Sequence, residues 1–539
     1  MTSEPPPTAG PGAVGPWVRS LRTRSSRYHR PRAPFCGVGY CTNCLVRVDG
    51  VPNVRACRTL IPPGAHVEVE NGWPSARFDL LAAFDLVFPN GIDTLRGFRR
   101  PGFATPWYQR VVRRLAGTGR FPTPERPVRS TPGTRVETET AIVGAGIAGT
   151  RCAARLVGAG ETPTVLERDG SSPSIEGVAL LPRTTAVFLP PPREGAGRRF
   201  ELIGSRSDGS AVAVRANRVV VAVGGYDASL WFAGNDRPGV FTAEGAERLC
   251  PKGPGGFSRA LVFGGGVRAL QILEKFAGQV DAVVAPGPIA PELSRRASEH
   301  DVPLYPRTQI LGVVGRRRVR GVRLAPRGAG SPPFDLEADA LVLAHRRLPH
   351  PQLFFQAGAR MRWRPDVGAY GPVLGPSGET TVPGLYAAGE VAGSTDEESA
   401  IRSAEAVAAA LRIPGEWIAP VAAGPSDARH ELEGYYQELL ERGTGPGKVV
   451  ACPCEDVLLS EVLEASERGY RGIEVVKRYT GLGTGLCQGR YCLPEALLVL
   501  GPRERRPVAE VGYITQRPPV VPTPLGALAG LPEPAEGAP

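Results

Sequence analysis

Residues 138–170, TETAIVGAGIAGTRCAARLVGAGETPTVLERDG, decide the fold. An apolar strand runs into Gly144-x-Gly146-x-x-Gly149, a helix follows, and a second apolar strand ends at Glu167. Gly144 permits the tight turn, Gly146 lets the backbone approach a pyrophosphate, and Gly149 lets helix and strand pack closely. Glu167 lies 21 residues beyond Gly146, where a carboxylate accepts hydrogen bonds from ribose hydroxyls. A turn made only for packing needs the glycines but not the acid. Strand, glycine turn, helix, strand and acid together predict a dinucleotide-binding α/β fold.

Two downstream segments point to FAD as its occupant. RANRVVVAVGGYD (215–227) is a buried strand ending in Gly224-Gly225, and TTVPGLYAAGEVAG (380–393) is another, with Gly389-Glu390 at its carboxyl end. Ligands bind at that edge of a parallel sheet, so Gly224, Gly389 and Glu390 join Gly144, Gly146, Gly149 and Glu167 as candidate cofactor residues. A second turn, ALVFGGGVRAL (260–270), carries Gly264, Gly266 and Ala269. The strand after it, DAVVAPG, ends with neither an acid for a ribose nor an Arg for a 2′-phosphate. That counts against NAD(P) there and favours a structural remnant.

Ten cysteines fall into two groups of four and two singles. The first group, Cys36-x4-Cys41-x2-Cys44-x12-Cys57, opens with the spacing by which plant-type ferredoxins wrap a [2Fe-2S] cluster. Gly37 and Gly39 suit the tight loop that three converging thiolates require. A zinc site and a dithiol at Cys41-Thr-Asn-Cys44 are the alternatives. The second group is Cys452-x-Cys454-x32-Cys487-x4-Cys492, with Gly481, Gly483, Gly485 and Gly489 crowding its second pair. Zinc competes more strongly here. Between the pairs VLLSEVLEASERGY reads as a short helix, and Pro494 can open another whose N-terminal dipole faces the site. Cys152 and Cys250 read as packing residues.

At 539 residues the chain is too long for one core. Residues 1–15 are Pro/Gly-rich and expected to be disordered, and 16–75 form the first cysteine domain, with a strand at LVRVDG and a hairpin turn at Asp49-Gly50. A connector spans 76–135, with helical periodicity in FDLLAAFDLVF and WYQRVVRRLAG and a joint at Pro122, Pro124, Pro127 and Pro132. The FAD-binding fold follows in two segments, 136–250 and 346–412, separated by an inserted NAD-like domain (251–345). A helical linker (413–448), the second cysteine domain (449–502) and a tail (503–539), expected to be loose after 515, complete the chain. No apolar run is long enough to span a membrane and no secretory pattern opens the chain, so a cytoplasmic protein is expected. The net charge of +11 resides almost wholly in residues 1–135, which hold 20 Arg, no Lys and 8 acids. No basic helix or aromatic groove accompanies it, so nucleic acid is not the expected partner.

The order of domains, with SRYHRPRAPFCGVGYC, NDRPGV at 235–240 and the CPCED…CQGRYC ending, resembles the α-type subunits of heteromeric amine oxidases and dehydrogenases. That group includes sarcosine oxidase, proline and hydroxyproline dehydrogenases, opine oxidases and hydrogen cyanide synthase. The resemblance implies a two-dinucleotide-binding-domain flavoprotein, a Rossmann-like FAD fold with an inserted NAD-like fold. An N-terminal β-grasp ferredoxin-like domain and a small helical C-terminal domain of the bacterioferritin-associated-ferredoxin type would flank it. By the same resemblance Cys452, Cys454, Cys487 and Cys492 hold a second [2Fe-2S] cluster, and FMN sits at the interface between subunits in some relatives. In others the Rossmann pocket takes NAD or ATP instead of FAD. The substrate amine is oxidised in a β-type flavoprotein partner, and the α-type chain passes electrons on to a quinone or ferredoxin-like acceptor. The chain departs from the family pattern before SRYHRPR, where the first cluster domain is expected to be shortened, and between Glu167 and Thr184. Measured against sarcosine oxidase α-subunits, no folate-binding domain and no folate-dependent chemistry are expected.

None of the six histidines sits in a hydrolytic or metal motif, which leaves redox chemistry and no assignable catalytic side chain. Arg27, Arg30, Arg32, Arg47, Arg55 and Arg58 surround the first quartet in sequence and are expected to raise its potential, to dock an acidic partner, or to form a solvated basic face. Two other classes stay open: a self-contained NAD(P)H reductase and a non-catalytic iron–sulfur scaffold or sensor.

Overall fold

The computed structural model describes residue 18 and residues 21–59, 61, 64–69, 71–88, 91, 130–170, 176–192, 200–250, 256–328, 331–412, 428–442 and 448–532. The expectations for residues 1–15, for WYQRVVRRLAG and for the joint at Pro122, Pro124 and Pro127 lie outside them. The chain divides into two compact units, each assembled from three stretches of sequence.

One unit takes residues 125–226, 347–429 and 515–539. The strand Thr134–Val143 runs parallel to Ala211–Val221, in register from Thr134↔Val212 to Val143↔Val221. On its other side lie Thr164–Leu166 and then Ala179–Leu181, both parallel. Leu385–Ala387 pairs with the last three residues of Ala211–Val221, and Phe200–Arg206 pairs antiparallel with the first six. The ends of the two long parallel strands, Ala141–Val143 and Val219–Val221, are apolar and buried, as expected where both faces of a parallel sheet are covered. The helix Ile147–Val157 buries Cys152, Ala153 and Leu156 on one face, in a core shared with Val407 and Leu411 of the helix Glu397–Arg412.

The other unit takes residues 1–124, 227–346 and 430–514. Its centre is a five-stranded parallel sheet in the order Val240–Thr242, Ala340–Leu343, Ala260–Phe263, Val280–Val284, Leu304–Tyr305. The first cysteine domain contributes Leu45–Val48 between Val51–Arg55 and Val67–Glu68. The hairpin joining the first two turns at Asp49 (φ 47°) and Gly50 (φ 82°), the left-handed pair that matches strand twist. The second cysteine domain is helical, with Leu459–Glu467, Ile473–Thr480 and Leu493–Arg503. Among the described residues no helix is long and apolar enough to cross a membrane.

Two expected boundaries move. The insertion begins at Asp227 rather than 251, because Val240–Thr242 pairs with Ala340–Leu343 and the helix Ala243–Leu249 shares the core of the inserted sheet. The stretch after 515, expected to be loose, is folded through 532: the Val520 N–H donates to the Val187 carbonyl and the Gly133 N–H to that of Gly530.

Candidate functional site

The thiols of Cys36, Cys41, Cys44 and Cys57 are all buried. The Cys41 N–H donates to the Cys36 sulfur at 3.4 Å. Burial opposes ionisation of Cys36, yet thiol hydrogen bonds from Cys41 and Cys57 and backbone N–H groups of Cys41 and Val38 hold its pKa well below the usual thiol range. Cys41 and Cys57 are pushed up by their hydrogen bonds to Cys36, with Cys44 also bonding Cys57, and by burial. The loop closes tightly enough that a Cβ on Gly39 would lie 2.7 Å from the Arg58 side chain.

In the second quartet the Cys454 thiol bonds Cys487 and the Cys492 thiol bonds Cys452. The hydrogen bond from Cys454 brings Cys487 down to about 7 against the opposing effect of burial, with help from the Tyr491 N–H and the Arg490 charge. Gly485 makes the approach of the two pairs feasible, since a Cβ there would sit 2.4 Å from that of Cys454. Cys492 is the N-cap residue of the helix Leu493–Arg503, so the helix opens at a candidate ligand. Among the described residues no three His, Cys, Asp or Glu side chains gather as they would around a single metal ion. The buried thiols bond one another: Cys36 with both Cys41 and Cys57, Cys57 also with Cys44, Cys452 with Cys492 and Cys454 with Cys487. Four converging, buried thiols fit a two-iron cluster, which takes two thiolates on each iron.

Three of the arginines expected to face a partner are spent internally. Arg30 binds Asp236 through Nε (2.7 Å) and Nη2 (2.8 Å) and also reaches Asp85. Arg32 spans Asp236 (3.1 Å) and Asp456 (2.5 Å), and Arg27 pairs with Glu461 at 2.7 Å. Arg30 and Arg32 are 2% exposed, so docking an acidic partner is not their work. Asp236 is fully buried, which opposes its ionisation, but Arg30 and Arg32 hold its carboxyl far below the usual range. The motifs SRYHRPR, NDRPGV and CPCED thus meet in one ionic cluster beside both cysteine loops. His29, in the first of them, bonds Asp79 at 2.9 Å. Cys152, buried in its helix, is pushed up to about 12 by burial and by Glu161, as suits a packing thiol.

In the dinucleotide unit the glycines divide by role. Gly144 adopts φ 101°, and a Cβ on it would meet the Ala222 carbonyl at 2.5 Å; one on Gly149 would meet the Gly144 carbonyl at 1.9 Å. Gly146 faces open space. It precedes a helix with no side-chain cap, leaving N–H groups for an anion. Glu167 accepts from the N–H groups of Ala145 and Asp169, both at 2.7 Å, one on each carboxylate oxygen, so each keeps a lone pair. Gly389 presses on Ala148 in the first turn of that helix, where a Cβ would sit 2.7 Å away. Glu390 is held by Arg347 through Nε (2.6 Å) and Nη2 (3.1 Å), and Arg347 also donates to the Gly225 carbonyl. The seven candidate cofactor residues therefore line one end of the sheet. Arg347 carries no motif signal and went unread.

The inserted turn is closed. The Ala290 N–H donates to the Gly265 carbonyl at 2.7 Å, and a Cβ on Gly265 would lie 2.6 Å from the Pro288 carbonyl. Beyond the strand Val280–Val284, a Cβ on Gly287 would lie 2.2 Å from a Glu431 carboxylate oxygen. Arg268, in the first turn of the following helix, is tied to Asp227 and Glu247.

Fold and site define an FAD-type oxidoreductase with an N-terminal 2Fe-2S domain and a helical C-terminal domain. The family description "2Fe-2S iron-sulfur cluster binding domain" matches residues 16–72, "Pyridine nucleotide-disulphide oxidoreductase" matches 194–412, and "Sarcosine oxidase A3 domain" matches 449–531. The opine oxidase A-subunit of Agrobacterium tumefaciens (strain Ach5) is 26% identical over 67% of this chain and 79% of its own length. The sarcosine oxidase alpha subunit of Rhizobium meliloti (strain 1021) is 28% identical over 95% of this chain, which spans 55% of that protein. The solved L-proline dehydrogenase of P. horikoshii shares the fold, with a TM-score of 0.64 at 20% identity over 94% of this chain and 92% of its own. The chain is homologous to subunits of sarcosine and opine oxidases.

Proposed function

We propose that this chain is the electron-transferring α-type subunit of a cytoplasmic heteromeric amine or imino-acid dehydrogenase or oxidase. Electrons enter from a β-type flavoprotein partner that oxidises sarcosine, proline, hydroxyproline, glycine or an opine. They leave to a quinone or ferredoxin-like acceptor. The observation that carries this reading is the pair of buried thiol quartets held in one unit, on a chain that also presents an FAD-type glycine turn. Cys36, Cys41, Cys44 and Cys57 would hold one [2Fe-2S] cluster, and Cys452, Cys454, Cys487 and Cys492 the other. Gly146 and the helix start behind it would receive the FAD pyrophosphate and Glu167 the ribose. Glu390, with Arg347 fixing its direction, would face the ribityl side.

Bound flavin supplies conversion between two-electron and one-electron chemistry. The chain's own residues exclude water from the thiolates, orient the acids and hold a nearby positive charge. FMN at the interface with the partner belongs to the same reading; NAD(P) does not. Co-expression with a candidate β-type flavoprotein, followed by dye reduction with each amine, is the test. Amine-dependent reduction that requires both chains is expected. Bound iron and sulfide without flavin, and no turnover with any partner, would favour a scaffold or sensor instead.

A further inference from the structure

The two cysteine loops touch one another. The Tyr40 ring, one residue before Cys41, lies 4.7 Å from the guanidinium carbon of Arg490. Arg490 stands between Cys487 and Cys492, is 3% exposed and donates from Nη1 to the Cys487 carbonyl at 3.0 Å. Phe35, the residue before Cys36, meets Tyr491, the residue before Cys492, edge to face with centroids 5.5 Å apart. Thr42 and Asn43, between Cys41 and Cys44, line one cavity together with Pro453 and Cys454. Two contacts and one shared cavity thus join the loops, each involving a residue within two positions of a candidate ligand or the ligand itself.

We propose that the two iron–sulfur centres form one contacting pair, with Tyr40 and Arg490 as the positioning residues at their junction and Arg490 as the cation that favours reduction of the second centre. This rests on the relay reading above. A four-thiolate centre gains one negative charge when it accepts an electron, and a buried guanidinium beside it offsets that charge in a medium that screens little. The aromatic face of Tyr40 holds the guanidinium plane in place, so its charge stays aimed at the Cys487 side. A centre that takes one electron passes it to its oxidised neighbour with no bond made or broken. Together the pair stores two electrons, the number a reduced flavin donor releases.

The test is a dithionite titration of the full chain, loaded with iron and sulfide and followed by electron paramagnetic resonance. At half reduction an isolated one-electron signal is expected; at full reduction the lines split or broaden as the two spins interact. Arg490→Gln should move the midpoint of the second centre to lower potential, and Arg490→Lys should restore most of it. Tyr40→Ala should weaken the spin interaction while iron content stays unchanged. A fully reduced spectrum that is the plain sum of two isolated signals, or an unshifted midpoint in Arg490→Gln, would overturn the pair while leaving the relay standing. A chain that takes up zinc and gives no signal would overturn both, and the metal analysis tells the two failures apart.

Discussion

Asp236 receives two arginines in a place water does not reach, and this decides what happens when its charge is removed. Asp236→Asn keeps the shape but leaves Arg30 and Arg32 buried with a neutral partner. Breaking one side of a buried pair typically costs about 3–5 kcal/mol, which denaturant unfolding would read directly. The pH dependence has a definite sign. Arg30 and Arg32 depress the Asp236 carboxyl against the pull of burial, and Arg30 with Lys448 does the same for Asp85. The stability these carboxylates contribute is therefore present above the unfolded carboxyl value of about 4 and fades as pH falls below it. Melting temperatures between pH 3 and pH 7 should drop steeply at the acid end in the parent chain and less steeply in Asp236→Asn. The glycine turn gives a second contrast at this scale. Gly149→Ala, with a Cβ 1.9 Å from a carbonyl, should lose both stability and flavin. Gly146→Ala meets no protein atom within 4 Å, so the fold should keep its melting temperature and lose only flavin affinity, read by the flavin retained on gel filtration.

The elements separate what local chemistry can say from what it cannot. The hairpin at Asp49-Gly50, the strand running into Gly144 and the helix opened at Pro494 were legible because each depends on residues within a few positions of one another. The cysteine spacing was legible for the same reason. By contrast, Arg30 and Asp236 are 206 positions apart, and Arg32 and Asp456 are 424 apart. In the sequence they are three unrelated charged motifs; folding makes them one. For Arg27, Arg30 and Arg32 the docking and solvated-face alternatives fall away, because neighbours in sequence do not reveal carboxylates arriving from distant elements. The folded stretch after 515 was missed for a related reason: its Pro-rich composition resembles a loose tail, and only packing within its unit buries Val520 and Ala527. The approach of the two cysteine pairs in the C-terminal domain supplies the prediction at this level. Gly485→Ala places a methyl 2.4 Å from the Cys454 Cβ, which forces the second pair off the first. If both quartets hold the proposed [2Fe-2S] clusters, iron content should fall by about half, since only the second quartet is touched, and the signal of the first centre should persist.

For the molecule as a whole the question is where its electrons come from. The pyridine-nucleotide oxidoreductase match across 194–412 would permit a chain that draws hydride from NADH on its own. The inserted fold argues against it from three sides. Its glycine turn is overlaid by backbone from Pro288 to Ala290, its strand end carries Gly287 where the ribose acid of such folds belongs, and the Glu431 carboxylate presses on that glycine. A carboxylate there also repels a 2′-phosphate, so NADPH fares no better than NADH. Arg268, the cation nearest the turn along the helix, is already shared between Asp227 and Glu247. Anaerobic addition of NADH or NADPH to the flavin-loaded chain should therefore leave the flavin absorbance unbleached, whereas dithionite should bleach it at once. Rapid bleaching by either nucleotide would make the chain a reductase in its own right. Without it, the proposed entry of electrons from a flavoprotein partner stands, and the two thiol quartets held in a single unit would hold the one-electron centres that receive them.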